Sequence, residues 1–410
     1  MLNFEYQNPT KILFGKGQIA KISNEIPSDA RLMILYGCGS VIANGTMDIV
    51  KKALAGRKIT EFGGIEPNPD YDTLMQAVAI AKKEKITYML AVGGGSVIDA
   101  AKFISAATFW ELGDPWEILK NQGKGIRMVI PFGCILTLPA TGSEMNHHAV
   151  ISRKTRQIAL PTASGSQGNA GAVSIHSSIE SEKLAFSSEK VFPQFAVLDP
   201  VVTFSLPKSQ IANGIADAFG HVMEQYLTYP VNANLQDRFA ESILKTLIED
   251  GIKSYHEPED YDSRANLMWC ATMALNGLIG AGVPQDWSTH AIAHELTALF
   301  GLAHAQTLAI VLPAALLVRR AEKKEKLLQY ADRIWNIHDA DPEKAIEQAI
   351  SKTTELFESL GLATRLSRYG ITAAQLPEVS AKLLKHGMTG IGERGSVTLE
   401  VCEEILHTAL

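Results

Sequence analysis

Two hydrophobic rhythms divide this chain of 410 residues. From residue 1 to about 200, short β-branched or apolar runs alternate with segments of helical period. The runs at 31–36, 59–62, 88–92, 128–131 with 135–138, and 196–198 predict strands; the patterns at 17–26, 47–55, 71–84 and 97–108 predict helices. Such alternation reads as a parallel sheet covered by helices. From about Leu206 the period becomes almost continuously 3.6, with helices predicted at 210–228, 235–253, 263–277, 287–300, 308–321, 325–336 and 342–360. The fold class expected is an α/β N-terminal domain with a parallel sheet, 1–203, followed by an all-α C-terminal domain, 204–410. The boundary falls where Pro200 and Pro207 bracket a strand-like run.

Composition narrows the function classes. An apolar fraction of 46% suffices for two cores, and a net charge of -6 with interspersed signs argues against nucleic acid or anionic membrane as a partner. Cys38, Cys134, Cys270 and Cys402 lie far apart with no CxxC pair, which indicates neither a disulfide framework nor a thiolate zinc site. The stretch 308–318 is too short to span a bilayer and contains Pro313, and no signal peptide opens the chain, so a cytoplasmic protein is expected.

Ligands of parallel sheets bind at the carboxyl ends of the strands, and there the glycines cluster. Gly37-Cys38-Gly39-Ser40 follows one predicted strand and Gly93-Gly94-Gly95-Ser96 another. The second runs straight into a helix, with Ser96 placed to cap it and Asp99 as the capping-box partner. Bare glycine backbone lets a phosphate approach such a helix N-terminus. The pattern is not GxGxxG, so a standard dinucleotide site does not follow from it, and glycine turns are often only structural. Asn68, in a turn by composition, either reaches a ligand or shapes its loop.

The helical half carries the candidate metal chemistry. Asp217 and His221 stand four apart, as do His290 and His294, and His304 follows Gly301, where the latter helix should end. Each alone is an ordinary polar residue on a helix face. Together, in apolar surroundings that include Ile215, Phe219, Ile292 and Leu296, one carboxylate and three imidazoles would hold a divalent transition ion. The glycines lie in one domain and these ligands in the other, which places the reaction centre in the cleft between them.

The middle of the chain contains an imperfect repeat. Residues 136–150 recur as 159–173, aligning Pro139 with Pro161, Gly142 with Gly165, Ser143 with Ser166, Asn146 with Asn169 and Val150 with Val173. Two copies are too few for a solenoid, and a local duplication is the better explanation. His147 and His148 are adjacent on a predicted strand, so they should point to opposite faces and are read as surface residues.

With Leu13-Phe14-Gly15-Lys16-Gly17, the segment from Phe62 to Pro69, Gly93 to Asp99, Leu138 to Glu144, Ala196 to Glu224 and Trp287 to His304, the chain resembles the iron-dependent (group III) alcohol dehydrogenases, in particular their NADPH-dependent butanol dehydrogenase and aldehyde reductase branch. The resemblance covers essentially the whole chain and implies a Rossmann-like first domain of the dehydroquinate synthase type. It implies that Asp217, His221, His290 and His304 bind one divalent metal, iron or zinc, and that His294 is the catalytic histidine near nicotinamide and substrate. It implies cofactor contacts from Gly39, Ser40, Asn68, Gly94, Gly95, Ser96, Asp99, Thr137, Thr141, Asn146 and Lys183. NAD-using relatives carry an acid in the turn after the first strand; the turn from Gly37 to Ser40 has none, which looks like the NADP(H) branch. A small aldehyde or alcohol as substrate and a homodimer follow from the same resemblance. The departure is the repeat, since relatives carry one copy. The first copy keeps Thr141 and Glu144 where the second has Ser164 and Gln167, so the first is assigned to the site. The alternatives are an NAD- and zinc-dependent polyol dehydrogenase on a similar scaffold, and an inactive cofactor-binding relative blocked by the second copy.

Overall fold

The structure, a computed structural model, describes residues 1–158 and 177–410; the second copy of the repeat, 159–173, lies outside the described residues. Strands β1 (Lys11–Phe14), β2 (Leu32–Gly37), β3 (Ile59–Ile65), β4 (Tyr88–Gly93), β5 (Phe132–Leu136) and β8 (Phe195–Leu198) form one sheet in the order β1-β8-β5-β4-β2-β3, every pair parallel. Between β5 and β8 stands an antiparallel ribbon of β6 (His148–Ile158) and β7 (Ser177–Ser187). Helices α1 (Ser40–Ala43), α2 (Thr46–Ala53), α3 (Tyr71–Lys83), α4 (Gly95–Ala107) and α5 (Glu117–Lys120) belong to this half. β4 and β5 are buried throughout, and separate apolar clusters cover the two sheet faces, one around Phe103 and Met89, the other around Ile34 and Val92.

The second half is built from α6 (Lys208–Tyr226), α7 (Asn234–Thr246), α8 (Ile252–His256), α9 (Tyr261–Ala274), α10 (Ser288–Phe300), α11 (His304–Val318), α12 (Lys324–Trp335), α13 (Pro342–Ser359), α14 (Leu376–Lys385) and α15 (Leu399–Thr408). A two-residue hairpin, β9 (Gly390–Ile391) with β10 (Val397–Thr398), interrupts the helical pattern.

Where the structure departs from expectation, a local reason is visible. Residues 128–131 are not a strand: Pro131 has no N–H for a ladder, and the Ile130 N–H is already spent on the Ser105 carbonyl of α4 at 3.3 Å. Ser96 does not cap α4. The Gly94 carbonyl accepts from Val97 and Ile98, so the helix begins two residues earlier, with Gly94 as its N-cap. The helix expected at 235–253 carries a π turn, Leu247–Gly251, where Gly251 packs on Ile215; a Cβ there would sit 3.3 Å from that side chain.

Candidate metal centre and nucleotide cleft

Helix α6 is buried along nearly its whole length and carries Asp217, His221 and Glu224 at positions i, i+4 and i+7 of one face. Helix α10 brings His290 and His294, ends at Gly301 in the left-handed region (φ 69), and the chain turns directly into α11 with His304 as its first residue. One ligand atom each from Asp217, His290 and His304 lies within 4.8 Å of the others. The His221 ring stacks on that of His290 at 4.6 Å between centroids, and its Nδ1 is 4.0 Å from Asp217 Oδ1. The His294 ring lies beside this group, 4.7 Å from His304 and 6.3 Å from His290.

The polar bookkeeping of the cluster points to a cation. Asp217 Oδ1, His221 Nδ1, His290 Nε2 and His304 Nδ1 are buried atoms with no hydrogen-bond partner. Such groups are costly to bury unless something pairs with them. Burial pushes the Asp217 carboxyl pKa up and the imidazoles down: His221 to about 4, His290 to about 3, His294 and His304 well below the ordinary value. At neutral pH the four rings are therefore uncharged, with lone pairs available. One carboxylate oxygen with imidazole nitrogens is a donor set that suits iron or zinc.

Glu224 supplies what the sequence reading missed. Its carboxylate meets His290 Nδ1 and also accepts the Thr289 N–H at 2.6 Å. A proton on Nδ1 leaves the lone pair on Nε2, the orphaned nitrogen facing the cluster, so Glu224 fixes both ring orientation and tautomer. The signal in the sequence was the i+7 spacing from Asp217.

Each depressed histidine binds a proton more readily in the unfolded chain than in the fold. The metal-free protein should therefore lose stability as pH falls from about 6.5 toward the folded values, about 4 for His221 and about 3 for His290. Asp217 and Glu224, with their pKa values raised by burial, act in the opposite sense, two groups against four. Melting temperatures of the metal-stripped protein are expected to fall between about pH 7 and 4.5, and those of the metal-loaded protein at least as steeply, because a bound ion keeps all of its ligands deprotonated.

On the sheet side the glycine turns lie at strand ends as expected. Gly39 (φ 111) precedes α1, which begins with Ser40, and Gly94 and Gly95 open α4 with Ser96 half-buried in its first turn. Part of the need for glycine is internal. A Cβ on Gly95 would fall 2.4 Å from Thr141 Oγ1, and one on Gly94 3.0 Å from Leu138 Cβ, because the loop after β5 lies against this turn. The Thr137 N–H donates to the Gly93 carbonyl at 3.0 Å, continuing that contact. Asn68, in the left-handed region (φ 57), accepts from Lys183 Nζ at 3.0 Å. Burial lowers the Lys183 pKa to about 8; its charge is felt by Asp217 and by His290, His294 and His304, so β7 brings this ammonium near the buried carboxylate and imidazole cluster.

Asp99 and Asn146 serve the same loop. Asp99 accepts from Ser143 Oγ at 2.5 Å and from the Val150 N–H at 2.9 Å. Asn146 Oδ1 accepts from Lys102 Nζ and the His148 N–H, and its Nδ2 donates to the Gly142 carbonyl, which engages the side chain from both ends. Lys102, unremarked in the sequence, is the hub: its ammonium is wholly buried and donates to Ser143 Oγ (2.7 Å), Asn146 Oδ1 (2.8 Å) and the His148 carbonyl (2.7 Å). Glu144 of the first copy is buried and accepts from Thr272 Oγ1 of α9 at 2.5 Å, tying this loop to the helical half. His147 and His148 do not point apart. His147 precedes β6, and the two rings lie 4.3 Å from each other, His147 also packing on Phe192.

A parallel sheet with glycine turns at its carboxyl ends, joined to a helical half that buries a carboxylate and imidazole cluster, is an arrangement suited to a metal-dependent dehydrogenase. The profile of the iron-containing alcohol dehydrogenases matches residues 9–157, and that of the C-terminal part of the Fe-containing alcohol dehydrogenase family matches 211–410. The chain is 54% identical over 410 residues to the NADPH-dependent aldehyde reductase YqhD of Escherichia coli (strain K12), with 100% of each covered. It is 37% identical over 398 residues to a probable NADH-dependent butanol dehydrogenase of Bacillus subtilis (strain 168), with 95% of each covered. The crystal structure of E. coli K-12 YqhD superposes with a TM-score of 0.92 at 53% identity, covering 100% of this chain and 99% of that one. The chain belongs to the iron-containing alcohol dehydrogenase family.

Proposed function

We propose that this chain is an NADP(H)-dependent aldehyde reductase that exchanges a hydride between the cofactor and small aldehydes or primary alcohols. The observation that carries this reading is the set of partnerless buried ligand atoms on α6, α10 and α11, in electrostatic reach of Lys183 from the sheet half. Asp217, His221, His290 and His304 would hold one divalent ion, iron or zinc, which supplies Lewis-acid stabilisation of negative charge developing on a substrate oxygen. Residues 1–203 would carry the cofactor and 204–410 the metal. Gly39, Ser40, Gly94, Gly95 and Ser96 would offer backbone N–H groups to phosphates, with open space at Gly39, and Thr137, Thr141, Asn68 and Lys183 would line the approach between the halves. Asp99 and Asn146 act on the cofactor through the loop they hold. His294, a neutral imidazole beside His304, would relay a proton to the product oxygen or contact the cofactor. Aligning the two reactants across the cleft contributes about 7 to 11 kcal/mol by effective-molarity estimates.

The turn from Gly37 to Ser40 supports NADP(H): it holds no carboxylate to repel a 2′-phosphate. The E. coli relative's NADPH dependence supports the same choice. Among the described residues no helix is long and apolar enough to cross a membrane; the four free, widely spaced cysteines support a cytoplasmic location. Met1, Leu2, Phe4 and Tyr6 are exposed apolar residues at one end of the chain, which supports a homodimer.

The test is NADPH oxidation followed at 340 nm with butanal as substrate, alongside metal content by mass spectrometry. About one metal per chain and a kcat/KM for NADPH roughly tenfold or more above that for NADH are expected, the tenfold corresponding to about 1.4 kcal/mol. Cofactor binding without turnover in the metal-loaded protein would overturn the reading.

A further inference from the structure

The helices that carry the four ligands meet again at a second place, which no part of the chemistry above uses. There Arg319 at the end of α11 and Lys323 just beyond it face Asp286, in the loop leading to α10, and Glu393, in the turn between β9 and β10. All four side chains are buried, at 2 to 6% exposure. Lys323 Nζ is 2.7 Å from both Asp286 Oδ2 and Glu393 Oε1, and donates to the Leu227 carbonyl at the end of α6 at 2.6 Å. Arg319 Nη2 lies 3.0 Å from Glu393 Oε2; Nη1 meets Asp286 and donates to Ser288 Oγ at 3.2 Å. Asp286 in turn donates its N–H to the Glu224 carbonyl at 2.9 Å, one residue's length from the carboxylate that orients His290.

We infer that Arg319 and Lys323, with Asp286 and Glu393, are positioning residues for the metal centre: a buried ionic knot that fixes the ends of α6, α10 and α11 relative to one another. The inference rests on the metal reading above. An apolar junction of equal volume would hold three helices together as firmly, since desolvating four charges offsets most of their attraction. Charges differ from apolar groups in direction. The contacts to Leu227, Asp286 and Ser288 each specify one distance between two ligand-bearing elements, Glu393 holds the two cations in place for them, and a site must be held within about 0.5 Å to stay productive. Glu393 arrives from the hairpin that precedes α15, so the C-terminal elements share in setting the site's geometry.

The experiment uses the full chain loaded with Co(II), whose visible spectrum reports ligand geometry, and follows release of the ion to a colorimetric chelator. Arg319→Lys keeps the charge and removes the two-pronged geometry; Glu393→Gln keeps the shape and removes the charge. Metal release at least tenfold faster than wild type, with an altered Co(II) spectrum in either variant, is the expected result, matching the 10- to 100-fold effect typical of groups that orient ligands. Release within twofold of wild type with an unchanged spectrum would overturn the proposal, even with a lowered melting temperature. If Glu393→Gln fails to fold, Arg319→Lys decides. A wild-type chain that takes up no Co(II) would remove the metal reading itself, and the knot's role with it, an outcome separable from a variant-specific loss.

Discussion

Replacing Asp217 with Asn is expected to strip the metal from the protein and lower kcat/KM by about a thousandfold, while making the metal-free chain more stable than its wild-type counterpart. The carboxylate is the one anionic member of the ligand set, and Asn keeps its shape while removing its charge. Lewis-acid stabilisation is worth several kcal/mol, and about 4 kcal/mol is three powers of ten in rate. The gain in stability has a separate origin. Asp217 Oδ1 is buried without a partner, and burial has already raised its pKa, so without a cation the carboxylate is a liability to the fold. An amide at that point loses less on desolvation. Metal content by mass spectrometry, steady-state rates and the melting temperature of both metal-free proteins check the three parts together. Retention of stoichiometric metal by the variant would show that Asp217 is not a ligand. A destabilised metal-free variant would show that the carboxylate has a structural partner of its own.

The residues legible in the sequence were those whose meaning is local. Asp217 with His221, and His290 with His294, declare themselves through a spacing of four that any helix converts into a shared face. Apolar runs marked β2, β4 and β8 because buried strands need them. β1 went unread, being four residues at a sheet edge with no alternation to betray it. Glu224, Lys102, Arg319 and Lys323 were illegible for a common reason: a charged residue on a helix is normally solvated. Their burial depends on partners far along the chain, His290 for Glu224, the loop 143–148 for Lys102, and Asp286 and Glu393 for the cationic pair. The Ser96 cap failed on a finer point. Serine before an apolar helical run is a sound capping signal, but the flexible glycines ahead of it let the helix begin earlier.

Lys102→Met should separate the two halves of the enzyme: metal content unchanged, KM for NADPH raised tenfold or more, and the fold destabilised by about 1 to 3 kcal/mol, the cost of leaving buried acceptors unsatisfied. Burial lowers the Lys102 pKa to about 8, with Asp99 opposing the shift, so the ammonium is still charged at neutral pH. Its three acceptors come from one stretch, Ser143, Asn146 and the His148 carbonyl, and no methionine atom can replace any of those bonds. Losing them frees the loop that lies on Gly95 through Thr141 and on Asp99 through Ser143, which forms one wall of the proposed nucleotide turn. The proposed metal ligands stand on α6, α10 and α11 and, among the described residues, share no hydrogen bond with Lys102's acceptors, hence the expected indifference of metal content. Denaturant unfolding, NADPH titration and metal analysis on one preparation distinguish the outcomes. Lost metal with an unchanged KM for NADPH would mean that the loop supports the helical half through Glu144 and Thr272 instead of shaping the nucleotide turn.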